Sequence, residues 1–157
     1  MAFDLKFISN NIEGNWISQQ TIYYLKIRQK SINTFKFDVS TSIKFLESTE
    51  IDIYEHRYTY NDNPDLDYNV NYWYGDTNEV RKKGGAVQKT YKKISKNYVF
   101  SIINEHTLKI KSNHENILYE EFVYYVNKNF NLSVITIKKL NNYVAICFTS
   151  SIKIIKQ

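Results

Sequence analysis

The chain has 157 residues, with 43% hydrophobic and 24% charged residues, a length and composition that fit one folded domain and exclude a disordered chain. Tyrosine, with 14 copies, is the commonest aromatic residue. It suits half-buried strands and polar-lined cavities because its ring packs while its hydroxyl forms hydrogen bonds. The net charge of +5 is spread along the chain. We therefore favour a basic solvated surface, which would also suit an acidic partner or an anionic ligand, over a nucleic-acid site.

Several kinds of site are excluded by what the sequence lacks. It has four glycines and one proline, and neither the GxGxxG nor the GxxxxGK[ST] pattern of nucleotide-binding loops occurs. The single Cys147 excludes an internal disulfide and a multi-cysteine zinc cluster, and His56, His106 and His114 show no metal-ligand spacing. The first residues lack a signal-like apolar segment and no run is long enough to span a membrane, so we expect an intracellular protein.

The first half of the chain predicts one short helix and two long strands. Residues 3–13 have an apolar face at helical spacing. Alternating side chains then predict strands over residues 15–29 and 31–48. Residues 47–60 fit either a helix or a strand, and Pro64 marks a loop.

From residue 68 onward the sequence becomes a series of short strand-like segments separated by turn-like ones. Gly84 and Gly85 are predicted to lie in one of these turns. The regular spacing predicts an antiparallel sandwich or barrel built from hairpins. Small barrels enclose either packed side chains or one small ligand. A carboxylate that faces the inside of such a barrel therefore indicates a functional role, since burying it costs on the order of several kcal/mol unless it is paired or hydrogen-bonded.

Four stretches of the sequence share motifs with one protein family. Residues 14–25, GNWISQQTIYYL, contain Gly-x-Trp followed by Ser-Gln-x-Thr, and the segment NYWYG contains Trp-x-Gly. Residues 121–133 begin with Glu121, continue with a Tyr-Tyr pair and include Asn129, and the last strand-like segment contains CFTSSIKI. In this order, the four stretches resemble the S-type phycobiliprotein lyases, the CpcS/CpeS family.

The resemblance implies a mainly β, lipocalin-like antiparallel barrel with an N-terminal helix, forming a single bilin-binding domain over residues 1–157. Such a barrel binds a linear tetrapyrrole and attaches it by a thioether bond to a cysteine of an apo-phycobiliprotein. By analogy we expect phycoerythrobilin as the pigment and a phycoerythrin β subunit as the acceptor.

The resemblance also sets expectations for cofactors, partners and location. No metal or other cofactor is expected besides the phycobilin substrate. The expected location is the cytoplasm of a cyanobacterium or the plastid stroma of an alga. Neither a nucleic acid nor a membrane is an expected partner, and the sequence leaves a homodimer open.

Glu121 is the candidate catalytic residue because the resemblance aligns it with the family's glutamate. A carboxylate that faces the lumen can accept hydrogen bonds from pyrrole N–H groups or exchange a proton with the tetrapyrrole. Two alternatives stay open. Glu121 could face solvent while Glu120 faces inward, or it could pair with a lysine on a neighbouring strand.

Trp73, Tyr125, Asn131 and Ser133 are the candidate bilin-binding residues. Trp73 could supply an aromatic wall, and alternation places Tyr125 on the same strand face as Glu121. Asn131 and Ser133 align with two arginines that meet the pigment's propionates in the family. Each could bond a propionate, though more weakly than a bidentate arginine, and a simple polar strand end is the alternative.

The missing arginines leave other functions open. The protein could be a bilin carrier or chaperone that does not transfer its pigment, a barrel for another apolar ligand, or an assembly factor with a filled interior. Cys147, between Ile146 and Phe148, is predicted to be buried and inert. The hypothesis of a lyase does not require this thiol, because the accepting cysteine belongs to the partner protein.

Overall fold

The computed structural model of the chain describes residues 11–44, 57–58, 68–75, 84–91 and 94–155. The strands in these ranges are β1 (Gly14–Tyr24), β2 (Gln29–Lys44), β3 (Arg57–Tyr58), β4 (Tyr68–Gly75), β5 (Gly84–Tyr91), β6 (Ile94–Asn104), β7 (Thr107–His114), β8 (Ile117–Asn127), β9 (Phe130–Lys139) and β10 (Asn142–Lys153). The predicted helix over residues 3–13 lies outside the described residues except for its last three positions. Within the described ranges, no helix is long and apolar enough to cross a membrane.

The strands form because their side chains alternate between a buried and an exposed face. In β8, Glu121, Val123 and Tyr125 are buried, whereas Tyr124 between the last two is 44% exposed. Successive side chains of a strand point to opposite faces of the sheet. This period of two therefore sets which residues of every strand face the interior.

Tight turns join the strands of the C-terminal half. Glu115 and Asn116 connect β7 to β8, and Leu140 and Asn141 connect β9 to β10. All four residues have positive φ, between 51° and 65°. Two consecutive left-handed residues are what a type I′ hairpin turn requires, and asparagine adopts that conformation more readily than most residues. These turns fix the register of the strands that carry Glu121 and Asn131.

One sheet contains all ten of these strands, in the order β3-β6-β5-β4-β2-β1-β10-β9-β8-β7. Strand β6 pairs with β5 on one side and with β7 on the other, so nine strands close into a barrel and β3 attaches to the end of β6. The predicted mainly β, lipocalin-like barrel is confirmed. Strands β2 and β4 are neighbours that run parallel, whereas the other pairs of described strands run antiparallel.

The prediction of a turn at Gly84 and Gly85 is wrong. Both residues belong to β5, where Gly84 pairs with Ser101 and Gly85 with Phe100. A Cβ atom on Gly84 would lie 2.2 Å from the carbonyl oxygen of Phe100. Glycine is present here because the backbones of β5 and β6 approach closely, a role that glycine also has inside strands.

Aromatic side chains close one end of the barrel. The indole Nε1 of Trp16 donates a hydrogen bond of 3.0 Å to the carbonyl oxygen of Ile12, and its ring stacks on Phe37 with centroids 6.5 Å apart. Tyr72 meets Phe100 edge to face, with centroids 5.3 Å apart. These buried rings belong to the core cluster and leave the remaining interior open as a cavity.

Candidate functional site

The barrel encloses a cavity of about 750 Å³, within the range of about 300–1,000 Å³ usual for small-molecule sites. At one end its wall includes Ile12 and Trp16, each 1% exposed. At the other end the wall includes Ile94 and Lys96, which are exposed. The cavity is thus closed at the Trp16 end and open at the end that we call the mouth.

One wall of the cavity is polar. It consists of inward side chains in two rows across β1, β10 and β9, namely Ser18, Ser151 and Asn131 in one row and Gln20, Thr149 and Ser133 in the next. Neighbours within the rows bond to each other, since the hydroxyls of Ser18 and Ser151 share a hydrogen bond and Gln20 donates one of 3.1 Å to Thr149.

Asn131 and Ser133 differ from the other residues of this polar wall. They are only 7% and 5% exposed, and among the described residues neither side chain has a hydrogen-bond partner. Buried polar side chains in folded proteins almost always have a partner in the protein or in a bound molecule. These two therefore offer unused donors and acceptors to whatever occupies the cavity.

The carboxylate of Glu121 lies on the cavity wall and is held by two partners. Its Oε1 accepts a hydrogen bond of 2.8 Å from the hydroxyl of Tyr119 and lies 2.6 Å from Nζ of Lys89. Lys89 Nζ also donates to the Tyr119 hydroxyl at 3.2 Å. Glu121 is 7% exposed, so it faces inward rather than toward solvent. Its lysine partner is on β5, separated from β8 by β6 and β7.

The position of this carboxylate affects the ionisable groups around it. Burial first, and then the negative charge of Glu121, raise the pKa of Tyr98 and of Tyr125 above its ordinary value. Both phenols therefore stay neutral and remain hydrogen-bond donors. Burial and Glu121 also raise the pKa of the Cys147 thiol to about 11, although Lys89 acts in the opposite direction. A neutral, buried thiol is a poor nucleophile.

The structure brings together four of the five predicted site residues. Glu121 and Tyr125 from β8 and Asn131 and Ser133 from β9 all line the same cavity. The backbone of Trp73 lies in β4 opposite Ala86 of β5. Its side chain lies outside the described residues, so its role stays a prediction.

Lys89, Lys96 and Tyr119, together with most of the polar wall, were missed by sequence reasoning. Alternation of Trp16, Ser18 and Gln20 along β1 was the available signal for an inward polar face. No feature of the sequence indicates that Lys89 faces the cavity, because a lysine in a strand is ordinarily predicted to face solvent. Its contact with Glu121 joins positions 32 residues apart through barrel closure.

The closed barrel, with its enclosed and partly polar cavity, defines a lipocalin-like protein with an interior site of small-molecule size. No family model matches the chain. It is 26% identical over 149 residues to the "Chromophore lyase CpcS/CpeS homolog" of Gracilaria tenuistipitata var. liui, over 95% of this chain and 97% of that protein.

A solved structure with the same fold is that of the S-type phycobiliprotein lyase CPES from Guillardia theta. It superposes with a TM-score of 0.51 at 8% identity, over 98% of this chain and 93% of the other. The resemblance predicted from the four sequence stretches is confirmed: the chain is similar in sequence to a CpcS/CpeS chromophore lyase homologue and in fold to an S-type phycobiliprotein lyase.

Proposed function

We propose that this protein is a bilin lyase that holds a linear tetrapyrrole in its barrel and attaches it to a cysteine of an apo-phycobiliprotein. The observation that carries the proposal is the enclosed carboxylate of Glu121, which shares one cavity with the side chains of Asn131 and Ser133. Those two polar side chains have no hydrogen-bond partner in the part of the chain that the structure describes. A linear tetrapyrrole needs such a site, because it combines apolar conjugated faces with pyrrole N–H donors and carboxylate groups. The relationship to the CpcS/CpeS proteins supports the same substrate class.

Glu121 would bind the pyrrole N–H groups of the pigment. A carboxylate has about four lone-pair sites, and Tyr119 and Lys89 occupy part of that capacity through one oxygen, Oε1. The second oxygen is left for donors from the ligand. Such charge-assisted hydrogen bonds fix the orientation of the tetrapyrrole and place ring A for reaction.

The reaction itself is an addition. The partner's cysteine sulfur forms a bond to the vinylidene carbon of ring A, the carbon–carbon double bond opens, and the thiol proton ends on the pigment, so no group leaves. The barrel contributes positioning and shields the reactive double bond from water. Correct positioning alone can lower a barrier by about 7–11 kcal/mol in favourable cases. Cys147 takes no part, because its thiol is buried and neutral.

The finer identity of the reactants forms part of the proposal. Phycoerythrobilin is the proposed pigment, and a phycoerythrin β subunit is the proposed acceptor. The setting would be the cytoplasm of a cyanobacterium or the plastid stroma of an alga, and no metal would take part.

A pigment carrier that does not transfer is the second candidate function. It is favoured by one observation, that the positions aligned with the family's two arginines hold Asn131 and Ser133, which carry no charge. A carrier would still bind the tetrapyrrole through Glu121 and the polar wall. It would lack the step that presents ring A to an acceptor.

A single experiment separates these functions. The purified protein is mixed with phycoerythrobilin and then with the apo-β subunit of phycoerythrin, while absorbance and fluorescence are recorded. A red-shifted complex followed by pigment that stays on the acceptor after denaturation supports the lyase. A coloured complex without transfer supports the carrier, and the absence of any coloured complex contradicts both.

A further inference from the structure

Two lysines of the cavity wall face each other across neighbouring strands. Lys89 of β5 is the register partner of Lys96 of β6, and both side chains line the cavity. Directly opposed residues in an antiparallel pair have Cβ atoms about 4.5–5.5 Å apart, and like charges at that separation destabilise the sheet. The pair therefore creates a place where a negative charge is stabilised.

Glu121 neutralises only one of these two lysines. Its carboxylate is 2.6 Å from Nζ of Lys89, whereas Lys96 has no ion-pair partner among the described residues. The charged side chains in the described part of the cavity wall are Lys89, Lys96 and Glu121. Within the described cavity wall, one positive charge is thus uncompensated, and it lies at the mouth, where Lys96 is exposed.

The charge distribution inside the cavity is therefore uneven along its length. Asn131 and Ser133, which align with the family's arginines, carry no charge and are nearly fully buried. The positive charge comes instead from β5 and β6, on strands that the sequence resemblance does not mark. An acidic ligand gains more at Lys96 than at the neutral polar wall, because charge-assisted hydrogen bonds are about twice as strong as neutral ones.

We infer that the Lys89–Lys96 pair is the carboxylate-binding subsite of this cavity and that it takes a propionate group of the bound pigment at the mouth. This inference rests on the proposed function, since it names how the same cavity recognises its ligand. Lys96 binds the carboxylate directly. Lys89, shared with Glu121, places a second positive charge beside it.

The test compares phycoerythrobilin with its dimethyl ester, which keeps the conjugated system and removes both negative charges. Binding is followed by the change in the visible spectrum for the wild type, Lys96→Gln and Lys96→Arg. The matched control is Lys111→Gln, an exposed lysine of β7 that does not line the cavity. The wild type is expected to bind the diacid about three- to tenfold more tightly than the diester, the effect of one partly exposed charged hydrogen bond.

Lys96→Gln is expected to abolish most of this preference, while Lys96→Arg and Lys111→Gln retain it. The preference should also shrink as salt is raised, because the lysine is at an exposed mouth. Equal binding of both pigments by the wild type overturns the lysine subsite and leaves the proposed function standing. A preference that survives in Lys96→Gln also overturns it, because the acid group is then recognised elsewhere. Failure of both pigments to bind overturns the proposed function itself.

Discussion

Glu121 is held in its cavity by a lysine and a tyrosine that come from different strands, and this pairing decides what its carboxylate can do. Lys89 keeps a positive charge 2.6 Å from Oε1, and Tyr119 donates to the same oxygen. These two contacts to Oε1 fix the position of the Glu121 side chain. We therefore propose that the main contribution of this residue is a hydrogen bond to the pigment through the other oxygen.

Replacing Glu121 with glutamine tests that assignment. The amide keeps the shape of the side chain but removes the charge, so we expect a weaker bilin complex with a shifted visible spectrum. We also expect a loss of about 1–2 kcal/mol in the free energy of unfolding, because Lys89 loses its charged partner. Spectral titration with phycoerythrobilin and denaturant unfolding measure the two effects.

The matched control for this change is Glu120→Gln on the adjacent, outward-facing position. Glu120 lies 3.7 Å from Lys109 in a partly exposed ion pair, so its loss should change stability by less than about 1 kcal/mol and leave the spectrum unaltered. A spectrum that is unchanged in Glu121→Gln would remove this residue from the binding site.

The reactivity of the Cys147 thiol as a function of pH provides a second test at the scale of one residue. Because burial and Glu121 raise the pKa of its thiol to about 11, the neutral form is stabilised in the folded protein. The folded thiol should react slowly with iodoacetamide at pH 8, and its rate should rise as the pH approaches 11. In denaturant the rise should occur near pH 9, the ordinary value for this group.

The same shift has a consequence for stability. Below pH 9 the thiol is neutral in both states, so its contribution is fully present, and it is lost as the pH rises through about 11 because the unfolded thiol ionises first. Cys147→Ala should keep bilin transfer to the acceptor. Rapid alkylation of the native protein at pH 8 would show that the thiol is accessible and ionised.

At the scale of elements, the strands were predictable and their long-range partners were not. Alternation predicts that Glu121 shares one face of β8 with Tyr125, and that Asn131 shares one face of β9 with Ser133, because the period of two is a local property. That these faces are the interior ones is shown by the structure. The ion pair with Lys89 and the parallel pairing of β2 with β4 depend on how the sheet closes. Closure is a property of the whole sheet, which no local pattern encodes.

Gly84 shows the same limit within a single strand. Two adjacent glycines ordinarily indicate a turn, yet the requirement here comes from the carbonyl oxygen of Phe100 on the neighbouring strand. Gly84→Ala should therefore destabilise the protein by about 1–3 kcal/mol, because the new Cβ forces the β5–β6 backbones apart. Denaturant unfolding followed by circular dichroism measures the loss.

Gly84→Ser serves as the companion variant. Its loss should equal that of the alanine variant within about 0.5 kcal/mol, since the clash comes from the Cβ atom and not from its substituent. A stability equal to that of the wild type in both variants would show that β5 and β6 can separate at this point without cost.

At the scale of the whole molecule, the cavity wall contains polar and charged side chains whose hydrogen-bonding and charge-pairing capacity is not filled by the other described residues. Asn131 and Ser133 lack side-chain partners among the described residues. Lys89 and Lys96 are register partners, and the Glu121 carboxylate pairs with Lys89 alone of these two lysines. A ligand that satisfies these groups binds the closed barrel and not the unfolded chain. It therefore shifts the unfolding equilibrium toward the folded protein.

Phycoerythrobilin at 100 times its dissociation constant should raise the free energy of unfolding by about 2.7 kcal/mol, which thermal unfolding detects as a higher Tm. Glu121→Gln and Lys96→Gln should each show a smaller rise at the same pigment concentration, because each binds the pigment more weakly. Lys111→Gln should match the wild type. An unchanged Tm in the presence of saturating pigment would mean that the pigment does not select the closed barrel, and the cavity would then have to serve a different ligand.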